Sequence, residues 1–163
     1  MKSTCTNIAR RLAWALLITG AAITSAHAKH DENKPLTAAG NGQWQAECGS
    51  CHIPYSPRLL HAESWRAVMS GLDRHFGTDA SLDAATTQQI GSFLERNAGS
   101  RKEPASAKPV LRISETRWFI REHRKLSSKV WTSDLVKSPA NCTACHASEP
   151  SGNYSERNVS VPQ

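Results

Sequence analysis

Two pentapeptides of the form Cys-x-x-Cys-His stand out as the residues able to do chemistry: Cys48-Gly49-Ser50-Cys51-His52 and Cys142-Thr143-Ala144-Cys145-His146. Two thiols at this spacing can each form a thioether with a vinyl group of one porphyrin. The histidine that follows can then offer its imidazole to the iron from one face. The pattern implies two haem c groups, attached through Cys48, Cys51, Cys142 and Cys145, with His52 and His146 as proximal iron ligands. Two other chemistries use cysteines at this spacing. A thioredoxin-like dithiol wants a βαβ context, which is absent here. A zinc site would need the four cysteines to converge across about ninety residues, and would leave both adjacent histidines without a role.

The N-terminus is consistent with haem attachment outside the cytoplasm. Lys2, Arg10 and Arg11 precede an apolar stretch from Leu12 to Ile23, and Ala26-His27-Ala28 has the form of a cleavage site. Residues 1–28 therefore read as a signal peptide, short for a membrane span, and the mature chain as an exported, periplasmic product beginning at Lys29. The full sequence carries 20 basic and 14 acidic residues; removing three basic ones leaves 17 against 14, a net +3 over the remaining 135 of 163 residues. Haem propionates would offset most of that. No polybasic run suits a nucleic acid, and a nucleic-acid partner is not expected. Cys5 leaves with the leader, so every remaining cysteine belongs to a motif and none is left for a disulfide.

The sixth iron ligand must come from elsewhere. His30, His52, His61, His75, His123 and His146 remain after cleavage, with Met69 the single methionine, so at most one haem can be His/Met. His75 is the choice for the first haem, because it shares a face with apolar residues of a helix expected over 64–76. Met69 on that helix reads as core packing, and His61, just ahead of it, is the other alternative. His123 is the choice for the second haem, with Phe119 four residues before it and Leu126 three after. Arg121, Glu122, Arg124 and Lys125 read as the wet face of the same helix. Exchange of the two distal ligands between halves stays open. His30, in a polar arm, reads as solvated. Two nitrogen ligands favour lower potentials than His/Met, and a filled sixth position leaves no place for substrate, so a carrier rather than an enzyme is expected.

The elements that must position these residues read as helical. Lys29 to Gly42 looks like a loose arm. A Pro-containing loop follows the first motif at 53–57. Helices are expected over 64–76, with Ser64 as N-cap, and over 81–97. Residues 99–109, rich in Ser, Lys, Ala and Pro, read as a linker. A helix is expected over 115–126, capped by Ser114 or Thr116, and a shorter one over 128–136; the tail from Ala147 reads as irregular. No strand-like alternation appears. The fold class is mainly α with little or no sheet. Four mature tryptophans, Trp44, Trp65, Trp118 and Trp131, read as haem packing.

Several segments together are similar to the small exported dihaem cytochrome c family. They are Glu47 to His52, Trp65 through Gly77 with Gly71-Leu72-Asp73-Arg74-His75-Phe76-Gly77 inside it, and Arg112-Ile113-Ser114-Glu115-Thr116 leading to Trp118-Phe119. Arg121-Glu122-His123-Arg124 and Ser138-Pro139-Ala140-Asn141-Cys142 complete the set. The resemblance implies two cytochrome c-like haem lobes, 29–98 and 110–163, and two bis-His haems with His75 and His123 as distal ligands. It also implies electron delivery to an oxygen-binding monohaem cytochrome, with a membrane b-type cytochrome as the donor. Two other readings fit the same motifs: a small dihaem subunit of a larger periplasmic oxidoreductase such as nitrate reductase, and a dihaem peroxidase, which would need an open iron.

Overall fold

The computed structural model describes residues 41–100, 108–147 and 154–162. The leader at 1–28, the arm that follows it, His30 and the middle of the linker lie outside the described residues. The described chain is helical, and its only β-type pairings are two isolated bridges, His75 with Thr78 and His146 with Val159.

α1 (Gly42–Cys48) was not expected from the sequence, where it fell between an arm and a motif. Its start is set by Asn41, whose side-chain oxygen accepts from the Trp44 amide at 3.0 Å. The helix buries Trp44 and ends at the first haem-motif cysteine. Gly49 lets the chain leave: a Cβ there would overlap the Gln45 carbonyl oxygen. A 3-10 turn over Pro57–Leu59 leads into α2 (Ala62–Met69). α2 is shorter and earlier than the helix expected over 64–76. His61, not Ser64, stands at its N-cap, and Ser64 is buried inside it. It stops because Ser70 bonds back to the Ala67 carbonyl at 2.9 Å and the Gly71 amide turns to Val68 at 3.1 Å. A separate 3-10 turn, Leu72–Arg74, follows.

α3 (Ala84–Arg96), N-capped by Asp83, lies within the range expected for it and supplies the surface on which α1 and α2 pack. Trp44, Leu60, Trp65, Ile90, Phe93 and Leu94 make one buried cluster, with Trp44 and Phe93 ring centroids 5.3 Å apart. Burying such side chains is the main favourable term at roughly 25 cal/mol per Å² of apolar surface. Trp65 also places its indole N–H on the Pro57 carbonyl at 2.7 Å, so the ring is buried without an unpaired donor. Met69 packs against this cluster.

Beyond the linker, a 3-10 turn over Ile113–Glu115 precedes α4 (Arg117–Glu122). Of the two candidate caps, Thr116 is the one used: its hydroxyl accepts from the Phe119 amide at 3.3 Å and donates to the Ile113 carbonyl at 2.7 Å. α4 ends four residues before the expected boundary, and His123 is its C-cap. α5 (Ser128–Thr132) stops short of Val136, which is fully buried in the turn that follows. The halves touch. Ile113 packs on the N-terminal cluster, and the Tyr55 hydroxyl donates to the Ala140 carbonyl at 2.6 Å.

Candidate haem sites

The local chain places His52 and His75 together. His52 leaves the first motif with its Nδ1 2.6 Å from the Ile53 carbonyl. A carbonyl can only accept, so Nδ1 carries the proton and the Nε2 lone pair is left for a metal. His75 does not sit on a helix face as the sequence reading had it. It follows the Leu72–Arg74 turn and opens a tight reversal in which Phe76 (φ 50°) and Gly77 (φ 99°) both take left-handed backbone. The Thr78 amide closes that reversal on the His75 carbonyl at 3.1 Å. Gly77 adopts this conformation without strain; Phe76 does so at a cost. The two imidazole centroids are 6.2 Å apart with planes 23° from parallel.

The second pair is built differently. The second motif forms a 3-10 turn over Cys142–Ala144, and His146 bonds back through its amide to the Cys142 carbonyl at 2.9 Å. His123, at the end of α4, has its Nδ1 2.8 Å from the Phe119 carbonyl, which again leaves Nε2 available. Phe119 stacks on the His123 ring at 3.9 Å, and Trp131 lies 5.7 Å away. The His123 and His146 centroids are 6.1 Å apart, with planes at 73°. A cavity of about 290 Å³ opens beside His123, lined by Phe119, Ile120, Trp131 and Pro139 among others.

Those separations are informative. Two metal–nitrogen bonds of about 2.0 Å each, plus roughly 1 Å from each nitrogen to its ring centre, put imidazoles on opposite sides of one ion about 6 Å apart. Both pairs stand at that distance, and each joins the histidine of one motif to a histidine from the same half. His61 is elsewhere, at the start of α2, lining a small cleft with Leu60, Gly99 and Trp118.

The electrostatics suit neutral ligands and covalent thioethers. Burial, then the neighbouring His52 and Arg112 charges, hold His75 below its ordinary range; burial, then His123, does the same for His146. Burial, with Glu47 adding to it, pushes the Cys48 thiol up to about 11, and burial raises Cys145. Reactive dithiols and metal thiolates are shifted the other way. No disulfide links the four cysteines, and no cluster of three or more His, Cys, Asp or Glu side chains suited to a metal ion occurs among the described residues. The second observation weighs against the zinc reading, and the raised thiols weigh against a reactive dithiol. The residues present therefore fit haem c at both motifs.

Two aromatic residues at these sites were not singled out from the sequence. Tyr55, three residues after His52, stacks on its ring at 4.8 Å; Tyr154 sits 5.2 Å from His146. The first lies three residues after His52, close enough in sequence to be considered with the motif. The second had no such signal, because it lies in a stretch that reads as irregular. Arg112, quoted above only within a matching segment, also reaches this site: its guanidinium carbon is 4.0 Å above the Phe76 ring, beside His75.

A helical chain with two Cys-x-x-Cys-His turns, each facing a second histidine, defines a small two-haem protein of the c type. The family model for dihaem cytochrome c matches residues 44–154, and the chain belongs to that family, with two haem c cofactors. Electron transfer is the role the family implies. Among solved structures, a diheme cytochrome c from Rhodobacter sphaeroides is 35% identical, covering 76% of this chain and 98% of its own, with a TM-score of 0.63. The diheme cytochrome type c of Shewanella baltica OS155 is 34% identical, covering 75% and 93%, with a TM-score of 0.66. The search of curated proteins gave no significant match.

Proposed function

We propose that this protein is a periplasmic electron carrier with two bis-His haems. His52 and His75 would hold the iron of an N-terminal lobe (29–98), and His146 and His123 that of a C-terminal lobe (110–163), joined by the linker at 99–109. Residues 1–28 direct export. The observation that carries this reading is the pair of imidazole separations, 6.2 and 6.1 Å. When bound, haem iron supplies reversible one-electron chemistry. The chain does the rest. Its four cysteines fix the group covalently. The backbone carbonyls of Ile53 and Phe119 orient the His52 and His123 rings with Nε2 available. Phe119 and Trp131 pack against His123 and would give a bound haem an apolar wall. With two histidines of this chain on each iron, neither would offer a site to a substrate, so the protein would carry electrons rather than act as an enzyme. An oxygen-binding monohaem cytochrome as acceptor and a membrane b-type cytochrome as donor follow from the family resemblance.

The test is ligand removal. His75→Ala and His123→Ala should each convert one haem to a high-spin, carbon monoxide-binding form and leave the other low-spin. Unchanged spectra in both variants would overturn the ligand assignment.

A further inference from the structure

The two halves carry opposite charge. Residues 41–100 hold four basic and six acidic side chains; residues 108–147 with 154–162 hold nine basic and four acidic. Three of these basic side chains, Arg117, Arg121 and Arg124, lie on α4 and the turn just after it. Arg117, Ile120, Arg121 and Arg124 follow one another at helical spacing, and all four are exposed. Phe119 and His123, from the same stretch, belong to the haem site, and Phe119 is buried. Ile120 stands between Arg117 and Arg121 in this run. Arg121 pairs with Glu122 at 2.7 Å, and Arg124 donates to the Arg121 backbone carbonyl at 2.9 Å. Ile120 and Arg124 also line the cavity beside His123 and Trp131, so this surface runs directly into the C-terminal haem site.

Exposed arginines beside a haem site suit protein docking, because arginine is enriched and strongly contributing at interfaces. We propose that the Arg117–Ile120–Arg121–Arg124 face docks a redox protein whose electron-exchange face carries carboxylates, bringing it against the C-terminal haem. The proposal rests on the electron-carrier reading. It assigns the C-terminal haem as the port for acidic partners and leaves the net-acidic N-terminal half to partners of the other kind. Like charges there would slow an acidic protein's approach, so the asymmetry sorts partners as well as attracting them.

The experiment is stopped-flow reduction of the oxidised holoprotein by reduced plant-type ferredoxin, an acidic probe of about −400 mV. Replacing Arg117, Arg121 and Arg124 together by Glu should cut the low-salt bimolecular rate about tenfold or more, and flatten its dependence on ionic strength. A matched triple on the N-terminal half, Arg66→Glu, Arg74→Glu and Arg96→Glu, changes net charge equally and should cost about twofold or less. Equal losses in the two triples, or no loss in the first, would overturn the proposal. Pyridine haemochrome analysis checks that each variant holds both haems; if the α4 glutamate triple does not, the milder triple to Gln should still slow the reaction, and an unchanged rate there overturns it. Loss of binding to phosphatidylglycerol vesicles with an unaltered ferredoxin rate would make the patch a lipid surface and refute the docking role. If neither ferredoxin nor dithionite reduces the wild-type protein, the electron-carrier reading itself fails. If dithionite reduces both haems and the charge variants behave alike, only the docking inference fails.

Discussion

The Tyr55 hydroxyl reaches across 85 residues of sequence to the Ala140 carbonyl, at 2.6 Å, while its ring stacks on His52. One side chain thus touches the proximal histidine of the first motif and the approach to the second. Tyr55→Phe keeps the ring and deletes the bond. A hydrogen bond of this kind contributes about 1 kcal/mol net. The site is partly exposed, so water can reach the abandoned carbonyl and no further desolvation cost arises. For a domain of this size, about 1 kcal/mol corresponds to a fall in Tm of about 4 °C. The effect should be local as well as global. Amide exchange measured by mass spectrometry or NMR should quicken between Ala140 and His146, and barely change in α3. Tyr55→Ala also removes the stack and the packing against the N-terminal cluster, and should cost about 2 kcal/mol or more. The reasoning is refuted if Tyr55→Phe melts with wild type and exchange near Cys142 is unaltered, for then this bond does not hold the halves together.

Thr116→Val removes the α4 N-cap from a buried position and should cost about 2 kcal/mol, read by thermal unfolding, with the second haem the first to lose its low-spin spectrum. Arg112→Gln removes a positive charge beside His75 and should lower the potential of the N-terminal haem by a few tens of millivolts in a redox titration, on a scale where about 59 mV is tenfold for one electron. Burial holds His75 and His146 below the ordinary histidine range even without iron, and iron on the ring would deepen this, so both hold protons less readily folded than unfolded. The unfolded chain therefore binds more protons below the ordinary histidine range near 6.5, and stability rises with pH there. Their contribution should be complete above that range and shrink as pH falls below it, seen as an acid-side drop in urea midpoint.

What the sequence made legible follows from how local each signal is. The two motifs are contiguous, and their chemistry needs no tertiary information. His75 and His123 stood out for their apolar neighbours, His123 also as the one free histidine between residue 76 and the second motif, and the structure brings them to the motifs of their own halves. The reason offered for His75 was wrong: apolar spacing suggested one helix through Phe76, yet Ser70 and Gly71 end α2, and the histidine is presented by a left-handed turn at Phe76 and Gly77. Periodicity could not reveal this, since a helix followed by a 3-10 turn keeps nearly the same spacing. α1 was hidden by its flanking glycines, although the Asn41 cap three residues before Trp44 was a usable start signal. Tyr154 and the Tyr55–Ala140 bond depend on distant parts of the chain meeting, which no local pattern encodes.

The central claim is that two histidines hold each iron, with planes nearly parallel in one site (23°) and nearly perpendicular in the other (73°). Electron paramagnetic resonance of the fully oxidised protein reads both properties at once. The account predicts two low-spin ferric signals of equal weight: a rhombic one from the His52–His75 site and a strongly anisotropic one, with a larger maximum g value, from the His123–His146 site. A high-spin ferric signal integrating to one haem or more would contradict it.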